Sequence, residues 1–427
     1  MTDTALLRDM KRTPYWWDTA GPPPEGDTAP LPAAVEVAVI GSGYTGLNAA
    51  LQTAWGGRET LVLDAQSPGW GCSTRNGGQI STCIKSQEAA LARRYGADTA
   101  RRIAAEGAAS LAHMGEMIAA EGIDCDFRVA GRFCGAHTPR AYDALARKAT
   151  EPDTLVIPRA EQHREIGTDA YHGGIVQTRH AQIDPARYHR GLMERVRTAG
   201  ARVVGDCAVT ALDRYGDGWR LTTPRGPVSA RTVIVATNGY TGPATPWQRR
   251  RVIPIGSYMI ATEPLPEGVM DRLLPTRRNI VDTRHVVYYY RASPDGRRMV
   301  FGGRVSAGDV DLTVAAHRLH DAMVALFPDL RAIRVSHAWM GHVAYTFDEL
   351  PHIGEAEGLH YAMGYCGSGI GMASYLGMRL GQRVLGEARG RTALDDLPFP
   401  TRPFYTGKPW FLPATVAWYR LRDRLGV

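Results

Sequence analysis

The feature that most constrains this chain is a glycine-punctuated turn, Gly41-Ser42-Gly43-Tyr44-Thr45-Gly46. It follows at once on a short apolar β run, residues 35–40, and opens a helical pattern with Leu47, Ala50, Leu51 and Ala54 at i, i+3, i+4 and i+7. Gly56-Gly57 stops that helix, and residues 60–64 form a second β run ending in Asp64. Each part has a physical task. Gly41 allows a tight turn, Gly43 lets backbone approach a pyrophosphate, and Gly46 lets helix and strand pack closely. The unpaired N–H groups and the dipole at the helix start favour phosphate charge. Asp64, 18 residues past Gly46, is placed to accept from a ribose hydroxyl and would repel a 2′-phosphate.

The same texture returns at the far end. Gly364-Tyr365-Cys366-Gly367-Ser368-Gly369-Ile370 leads into a helix ending near Gly386. An extended dinucleotide needs a second grip at its other end. A helix start aimed at a flavin pyrimidine edge would stabilise the negative charge that develops there on reduction. The spacing of the first motif fits NAD and FAD alike; the second cradle favours FAD, and an NAD-dependent dehydrogenase would leave it idle.

Between the two lies material of another kind. Residues 88–122 read as one Ala-rich helix, and a helix spans 185–199 behind Asp184-Pro185. Tyr215-Gly216-Asp217-Gly218 marks a hairpin, and residues 232–237 a buried strand before Asn238-Gly239. From 252 to 340 the chain is strand-rich, with one helix near 314–327. Residues 1–34 are Pro- and Gly-rich without a period, and Tyr15, Trp16 and Trp17 are expected to anchor this arm on the body. The expected architecture is α/β: a discontinuous Rossmann-like FAD-binding domain (35–90, 181–244, 341–395), a substrate domain with a mostly antiparallel sheet (91–180, 245–340), an N-terminal arm (1–34) and a C-terminal extension (396–427).

Composition excludes other classes. With 44% hydrophobic and 22% charged residues the chain is globular, not disordered. No stretch approaches a membrane span and no apolar secretory segment opens it, so stable membrane insertion is not expected. Its six cysteines contain no CxxC pair and fit neither a zinc site nor a disulfide framework. No metal and a reduced, cytoplasmic chain are the expectation. The net charge of +7 comes from arginines scattered along the sequence, with only Lys11, Lys85, Lys148 and Lys408 as lysines. Nucleic acid is not expected as a partner. The one compact run, Arg249-Arg250-Arg251, is either a solvated loop or a patch for an anionic group.

Five further motifs carry a resemblance. They are Gly69-Trp70-Gly71-Cys72-Ser73-Thr74-Arg75-Asn76-Gly77-Gly78-Gln79; Ile260 to Leu265; Tyr289-Tyr290-Arg291 with Phe301-Gly302-Gly303; Trp339 with Thr346, Asp348, Pro351 and Gly354; and the terminal glycine motif. On these, residues 35 to about 390 resemble the FAD-dependent amine and amino-acid oxidases that include D-amino acid oxidase, glycine oxidase and sarcosine oxidase. The 69–79 run is most similar to the γ-glutamylputrescine oxidase branch.

That resemblance implies FAD held by Gly41, Gly43, Tyr44, Thr45, Gly46, Asp64 and Ala65 at its adenylate end. Val209 would meet the adenine, and Thr237, Asn238 and Gly239 would close over the pyrophosphate. Gly71, Cys72, Ser73, Arg75, Asn76, Gly77, Gly78 and Gln79 would pass beside the ring system, with Gly364, Gly367, Ser368, Gly369 and Ile370 at its far edge. Arg75 stands where some relatives attach flavin through a His, and residues 341–345 hold no Cys, so the FAD is expected to be non-covalent.

The reaction implied removes a hydride from the carbon beside a primary or secondary amine; the imine then hydrolyses and O2 is reduced to H2O2. The alternative is an amino-acid dehydrogenase that passes electrons to a quinone or carrier. Val343 and Gly367 stand where glycine oxidase carries carboxylate-binding arginines, which favours an amine over an α-amino acid. Ser368 stands where relatives of this branch often have His. Sarcosine oxidases use a lysine in the central strands for O2, and none lies between Lys148 and Lys408. The cation is then His285, Arg291 or His342, or electrons leave to a carrier. Tyr288, Tyr289 and Tyr290 alternate on one strand, so one face offers aromatic rings to an amine. Tyr290, Arg291, Trp339, His342 and Tyr345 are the candidates beside the flavin.

Overall fold

Alternating small and branched apolar residues make the run at 35–40 a strand that both faces of a sheet can bury. In the computed structural model, which describes residues 3–425 except 83, 87, 150–152, 305, 307 and 396, it is the strand Ala34–Ile40. Val37 and Val39 enter one apolar cluster, Ala38 and Ile40 another on the opposite face. Cys83 lies outside the described residues; Cys72, Cys125, Cys207 and Cys366 are free thiols.

Five parallel strands form the centre of the first sheet, in the order Leu359–Met363, Val228–Val235, Ala34–Ile40, Thr60–Leu63, Arg202–Val204. His352–Ala356 flanks it antiparallel, and the hairpin Ala211–Tyr215/Gly218–Thr222 extends it, turning at Gly216 with φ +56°. Helices Tyr44–Trp55, Pro185–Thr198 and Gly369–Val384 cover one face. Asp184 caps the second of these, accepting from the N–H groups of Ala186 and Arg187.

The second sheet has eight strands, in the order Val335–Tyr345, Ile253–Thr262, Met299–Gly303, Tyr288–Ala292, Asn279–Asp282, Arg132–Gly135, Gly174–Gln177, Thr154–Ile157. All neighbours are antiparallel except the Asn279–Asp282/Arg132–Gly135 pair. One face turns Tyr258, Ile260, Tyr290, Phe301 and Ala338 against helix Leu312–Leu326. The other turns Met259, Ala261, Tyr289, Val300 and Trp339 towards Trp16 and the first sheet. Such a mixed α/β chain with a parallel nucleotide-type sheet and a mostly antiparallel second sheet is the architecture expected.

Two expected boundaries give way to packing. The helix expected over 88–122 breaks at Gly96, φ +85°, into Glu88–Tyr95 and Ala97–Ala120. Ile103, Met114 and Ile118 of the longer piece pack with Leu47 and Leu380, so it sits on the nucleotide-type core and not with the second sheet. The boundary at 341 falls inside Val335–Tyr345, whose ladder with Ile253–Thr262 shifts register once, at Ala261/Thr262, and continues to Tyr345. The arm is no free tail: Trp16–Ala20 is a short helix and Trp16 is fully buried. No helix among the described residues is long and apolar enough to cross a membrane.

Candidate active site: a cleft between two helix starts

The two glycine-led helices lie side by side. A Cβ on Gly377 would come within 2.4 Å of the Thr45 carbonyl, and one on Gly381 within 2.7 Å of the Ala49 carbonyl. Both contacts advance by four residues, so the helices run parallel. Thr45, one residue into its helix, meets a residue eight positions past Gly369, so the second helix starts about 10 Å ahead of the first at 1.5 Å per residue. Glycine is required here because the backbones touch. Tyr44, Thr45, Gly369 and Ile370 all line one cleft of about 1440 Å³. That exceeds the roughly 300–1,000 Å³ of an ordinary ligand pocket and leaves room for a long dinucleotide with a substrate.

At the first helix start, Gly41 has φ +103°, and a Cβ there would press on the Ala236 carbonyl at 2.9 Å. A Cβ on Gly46 would lie 1.9 Å from the Gly41 oxygen, which is the close helix–strand packing its position requires. Gly43 lines the cleft; its Cβ would meet only the Ser73 hydroxyl. Asp64 accepts from the N–H and hydroxyl of Ser42, 2.7 and 2.6 Å, and from the Gln66 N–H. Burial raises its carboxyl, opposed by those bonds. Beneath the turn His189 donates Nε2–H to the Ser42 carbonyl at 2.7 Å, and burial pushes its imidazole down to about 4. Ala65, Val209, Thr237 and Asn238 also line the cleft. Gly239 does not: it packs on the His342 carbonyl.

The loop 71–79 is pinned by indoles. Trp16 Nε1–H donates to the Asn76 carbonyl at 2.8 Å, Trp17 Nε1–H to Thr74 Oγ1 at 3.0 Å, and Trp339 Nε1–H to the Arg75 carbonyl at 2.9 Å. The Arg75 guanidinium sits over Trp17 and Trp70, 4.9 and 4.3 Å from their centroids. Ser73 Oγ accepts the Tyr44 N–H, joining this loop to the first helix. Gly71, Cys72, Ser73, Arg75, Asn76, Gly77 and Gln79 line the cleft; Gly78 instead faces the Ile183 and Arg291 side. Burial raises the Cys72 thiol to about 11, which keeps it a neutral small side chain.

The second helix start is a left-handed curl. Gly364, Cys366 and Gly367 have φ of +82°, +53° and +98°. Asn238 Oδ1 accepts the Gly364 N–H at 3.0 Å and ties the curl to the strand end of the first sheet. Gly367, Ser368, Gly369 and Ile370 line the cleft, whereas Gly364 packs on Thr346. Burial likewise lifts the Cys366 thiol to about 11.

Of the five candidates beside the ring, the structure brings Tyr345 alone to the cleft wall. Tyr290 faces the other side of its sheet, bonded to the Tyr171 hydroxyl at 3.0 Å and stacked on Phe301. Arg291 is buried: Nη1 donates to the Gly78 and Ile183 carbonyls at 2.9 Å each, and burial lowers it to about 10. Trp339 is used by the loop, and His342 turns to Asp309 at 3.3 Å and to the Tyr240 ring. The strand alternates, and the face it turns to the cleft is that of Tyr289. Tyr289 is the residue that lines the cleft, wedged between Gly77 and Gly302, with its hydroxyl 2.8 Å from Ser257 Oγ. Burial raises this phenol and keeps it protonated.

Two cations that sequence reasoning missed stand near Tyr345. Lys85 Nζ lies 5.7 Å and the Arg304 guanidinium 5.8 Å from its ring centroid. Each is a single cation in an irregular segment, which carries no periodic signal. Arg249, Arg250 and Arg251 do not act as one patch. Arg251 stacks on Trp247 at 3.5 Å and donates to the Trp247 and Phe399 carbonyls, while Arg249 packs on Gly407.

The donor set fits FAD: a carboxylate at one end, and two parallel helix starts offset along a cleft longer than one nucleotide. Comparison with known proteins agrees. Residues 36–383 match the family model described as FAD dependent oxidoreductase. The chain is 30% identical over 402 residues to the gamma-glutamylputrescine oxidoreductase of Escherichia coli, covering 92% of this chain and 93% of that one. It is 30% identical over 401 residues to a probable oxidoreductase of Rhizobium meliloti, covering 91% and 92%. The fold superposes on glycine oxidase from Geobacillus kaustophilus with a TM-score of 0.71 at 20% identity, covering 87% of this chain and 99% of that one. Family match, relatives and cleft agree that the chain belongs to the FAD dependent oxidoreductase (DAO) family and is an FAD-dependent enzyme.

Proposed function

We propose that this protein oxidises the C–N bond of a primary or secondary amine to an imine, which hydrolyses to a carbonyl and an amine or ammonia, while O2 is reduced to H2O2. The amine carbon loses a hydride and its nitrogen a proton, and water completes the hydrolysis. The observation that carries this reading is the wall that Tyr289, Ser257 and Tyr345 contribute to the cleft shared with the second helix start. When bound, FAD supplies the two-electron sink. The chain's own residues hold and orient. Aromatic faces attract the cationic amine on arrival. The paired Tyr289 and Ser257 hydroxyls offer donor and acceptor to a neutral nitrogen. Positioning supplies much of the rate.

The name of the Escherichia coli relative supports an amine. So do Val343 and Gly367, both on the cleft wall, neither of which makes a bidentate carboxylate clamp. Lys85 and Arg304 supply positive charge beside Tyr345, which favours O2 as acceptor. The test is anaerobic mixing of the yellow holoenzyme with polyamines and N-alkyl amines, followed by air. Bleaching and fast recovery with stoichiometric H2O2 are expected. Recovery over many minutes would move the protein to the carrier-linked dehydrogenase reading; no bleaching by any amine would reject amine oxidation.

A further inference from the structure

The cleft is completed by a segment beyond residue 383, where the family match ends. Helix Leu412–Leu425 presents Leu412, Thr415 and Tyr419 to it, with Phe411 just ahead. These positions, with Val416 and Asp423, recur at three- and four-residue spacing and share one helix face. Leu412 and Val416 are buried against Ile253, Ile255 and Tyr405, with Tyr345, Phe347 and Phe411 packed on the same cluster. The helix is also clipped at its far end. Asp423 accepts from the His285 N–H at 2.7 Å, the Val286 N–H at 3.0 Å and His285 Nδ1 at 2.8 Å. Burial alone would raise this carboxyl; the Val286 and His285 bonds outweigh it and hold it low. The Tyr419 ring stacks on His285, 5.3 Å between centroids and 20° between planes. His285 and Val286 line the cleft themselves.

We propose that this C-terminal helix is the specificity-determining wall of the substrate end, with Tyr419 and Thr415 limiting the length of amine admitted and Asp423 as the residue that positions them. The inference rests on the amine reading above and deepens it. Tyr345 joins the two halves of the argument. Its hydroxyl lies 3.7 Å from a Cβ built on Gly367, at the second helix start. Its ring belongs to the cluster that seats the C-terminal helix. A substrate reaching past Tyr345 from the second helix start therefore meets Thr415 and Tyr419. Tyr419 has no freedom to swing while its ring is stacked and its helix is clipped through Asp423.

The test uses FAD-loaded, full-length protein and a series of straight-chain diamines from diaminopropane to diaminohexane. Tyr419→Ala is expected to move the optimum of kcat/KM to longer chains, by roughly tenfold for each methylene the wall had excluded. Thr415→Leu is expected to move it to shorter ones. Asp423→Asn keeps part of the clip and is expected to shift the optimum in the Tyr419→Ala direction by less. A second readout needs no turnover: iodide quenching of bound FAD fluorescence is expected to rise in Tyr419→Ala with FAD retention unchanged. An unaltered length profile in active Tyr419→Ala and Thr415→Leu overturns the wall. If neither diamines nor N-alkyl amines bleach the wild-type flavin, the amine reading falls; quenching then decides the wall separately, with unchanged quenching rejecting it.

Discussion

Arg291 gives the sharpest separation between a binding residue and a structural one. Its guanidinium is 1% exposed and spans from its own strand to the loop carbonyl of Gly78 and to Ile183, with Nε donating to Ala292. Arg291→Met keeps most of the apolar stem but strands three carbonyls. Hydrogen bonds from a charged donor contribute about 1.5–3 kcal/mol each, so the gross loss is about 4.5–9 kcal/mol. Against that, the buried cation already carries a penalty. Burial lowers its pKa from 12.5 to about 10, and at 1.36 kcal/mol per unit roughly 3 kcal/mol returns when the charge is removed. The net destabilisation is about 3 kcal/mol, taken near the middle of that range. With an unfolding entropy of about 2.1 cal/mol/K per residue, that lowers Tm by roughly 3 °C in a chain of this length. Differential scanning fluorimetry of the FAD-loaded protein, with and without the substitution, measures it. FAD retention should fall as well, because Gly78 closes the loop beside the cofactor. An unchanged Tm with a KM rise confined to amines bearing a carboxylate would show that Arg291 reaches substrate, and would refute the reasoning.

Other outcomes follow from the same geometry. Tyr289→Phe removes the bond to Ser257 and should change kcat/KM for amines by about tenfold with little change in Tm, while Tyr289→Ala should cost about 3 kcal/mol by opening space beside Gly77 and Gly302. Gly377→Val should part the two helices, reduce FAD retention and destabilise the fold by about 1–3 kcal/mol in urea titration. His189 has a folded pKa of about 4, below its unfolded value of 6.5, so the unfolded chain binds the extra proton; stability is fully present above pH 6.5 and lost as pH falls through 4. That is about 3 kcal/mol from this group, and His189→Gln, which can still donate to the Ser42 carbonyl, should flatten the fall of the urea midpoint across that window. Trp16→Phe frees the Asn76 carbonyl from its indole and should loosen FAD binding more than it lowers Tm, read by FAD titration of the apoprotein.

What was legible in the sequence was whatever glycine dictates locally. Gly41, Gly43 and Gly46 announce a strand, a turn and a helix within ten residues, and Gly364, Gly367 and Gly369 announce the second helix start. Less was legible where meaning depends on what lies across the fold. Alternation puts Tyr289 opposite Tyr288 and Tyr290, but which side faces the cleft depends on the sheet's far cover, helix Leu312–Leu326, and on Gly77 leaving room for the ring. Arg291 is expected beside the flavin as a candidate cation; instead its Nε and Nη1 donate to the carbonyls of Ala292, Gly78 and Ile183, which no local pattern signals. The wall from Leu412–Leu425 was illegible for a different reason. Its inward face is a mixture of Leu, Thr, Val, Tyr and Asp, and outward Trp418 and Leu421 blur the contrast that marks an amphipathic helix.

The offset pair of helices also sets when the holoenzyme can first exist. The first cradle is translated within the opening sixty-four residues, yet its partner helix begins at Gly369 and meets it at Gly377 and Gly381. Trp339, which pins the loop at Arg75, is also made late. A nascent polypeptide on the ribosome therefore carries half a grip for most of its synthesis. Cofactor capture is an event of the finished chain, and a truncated product would leave the ribosome colourless.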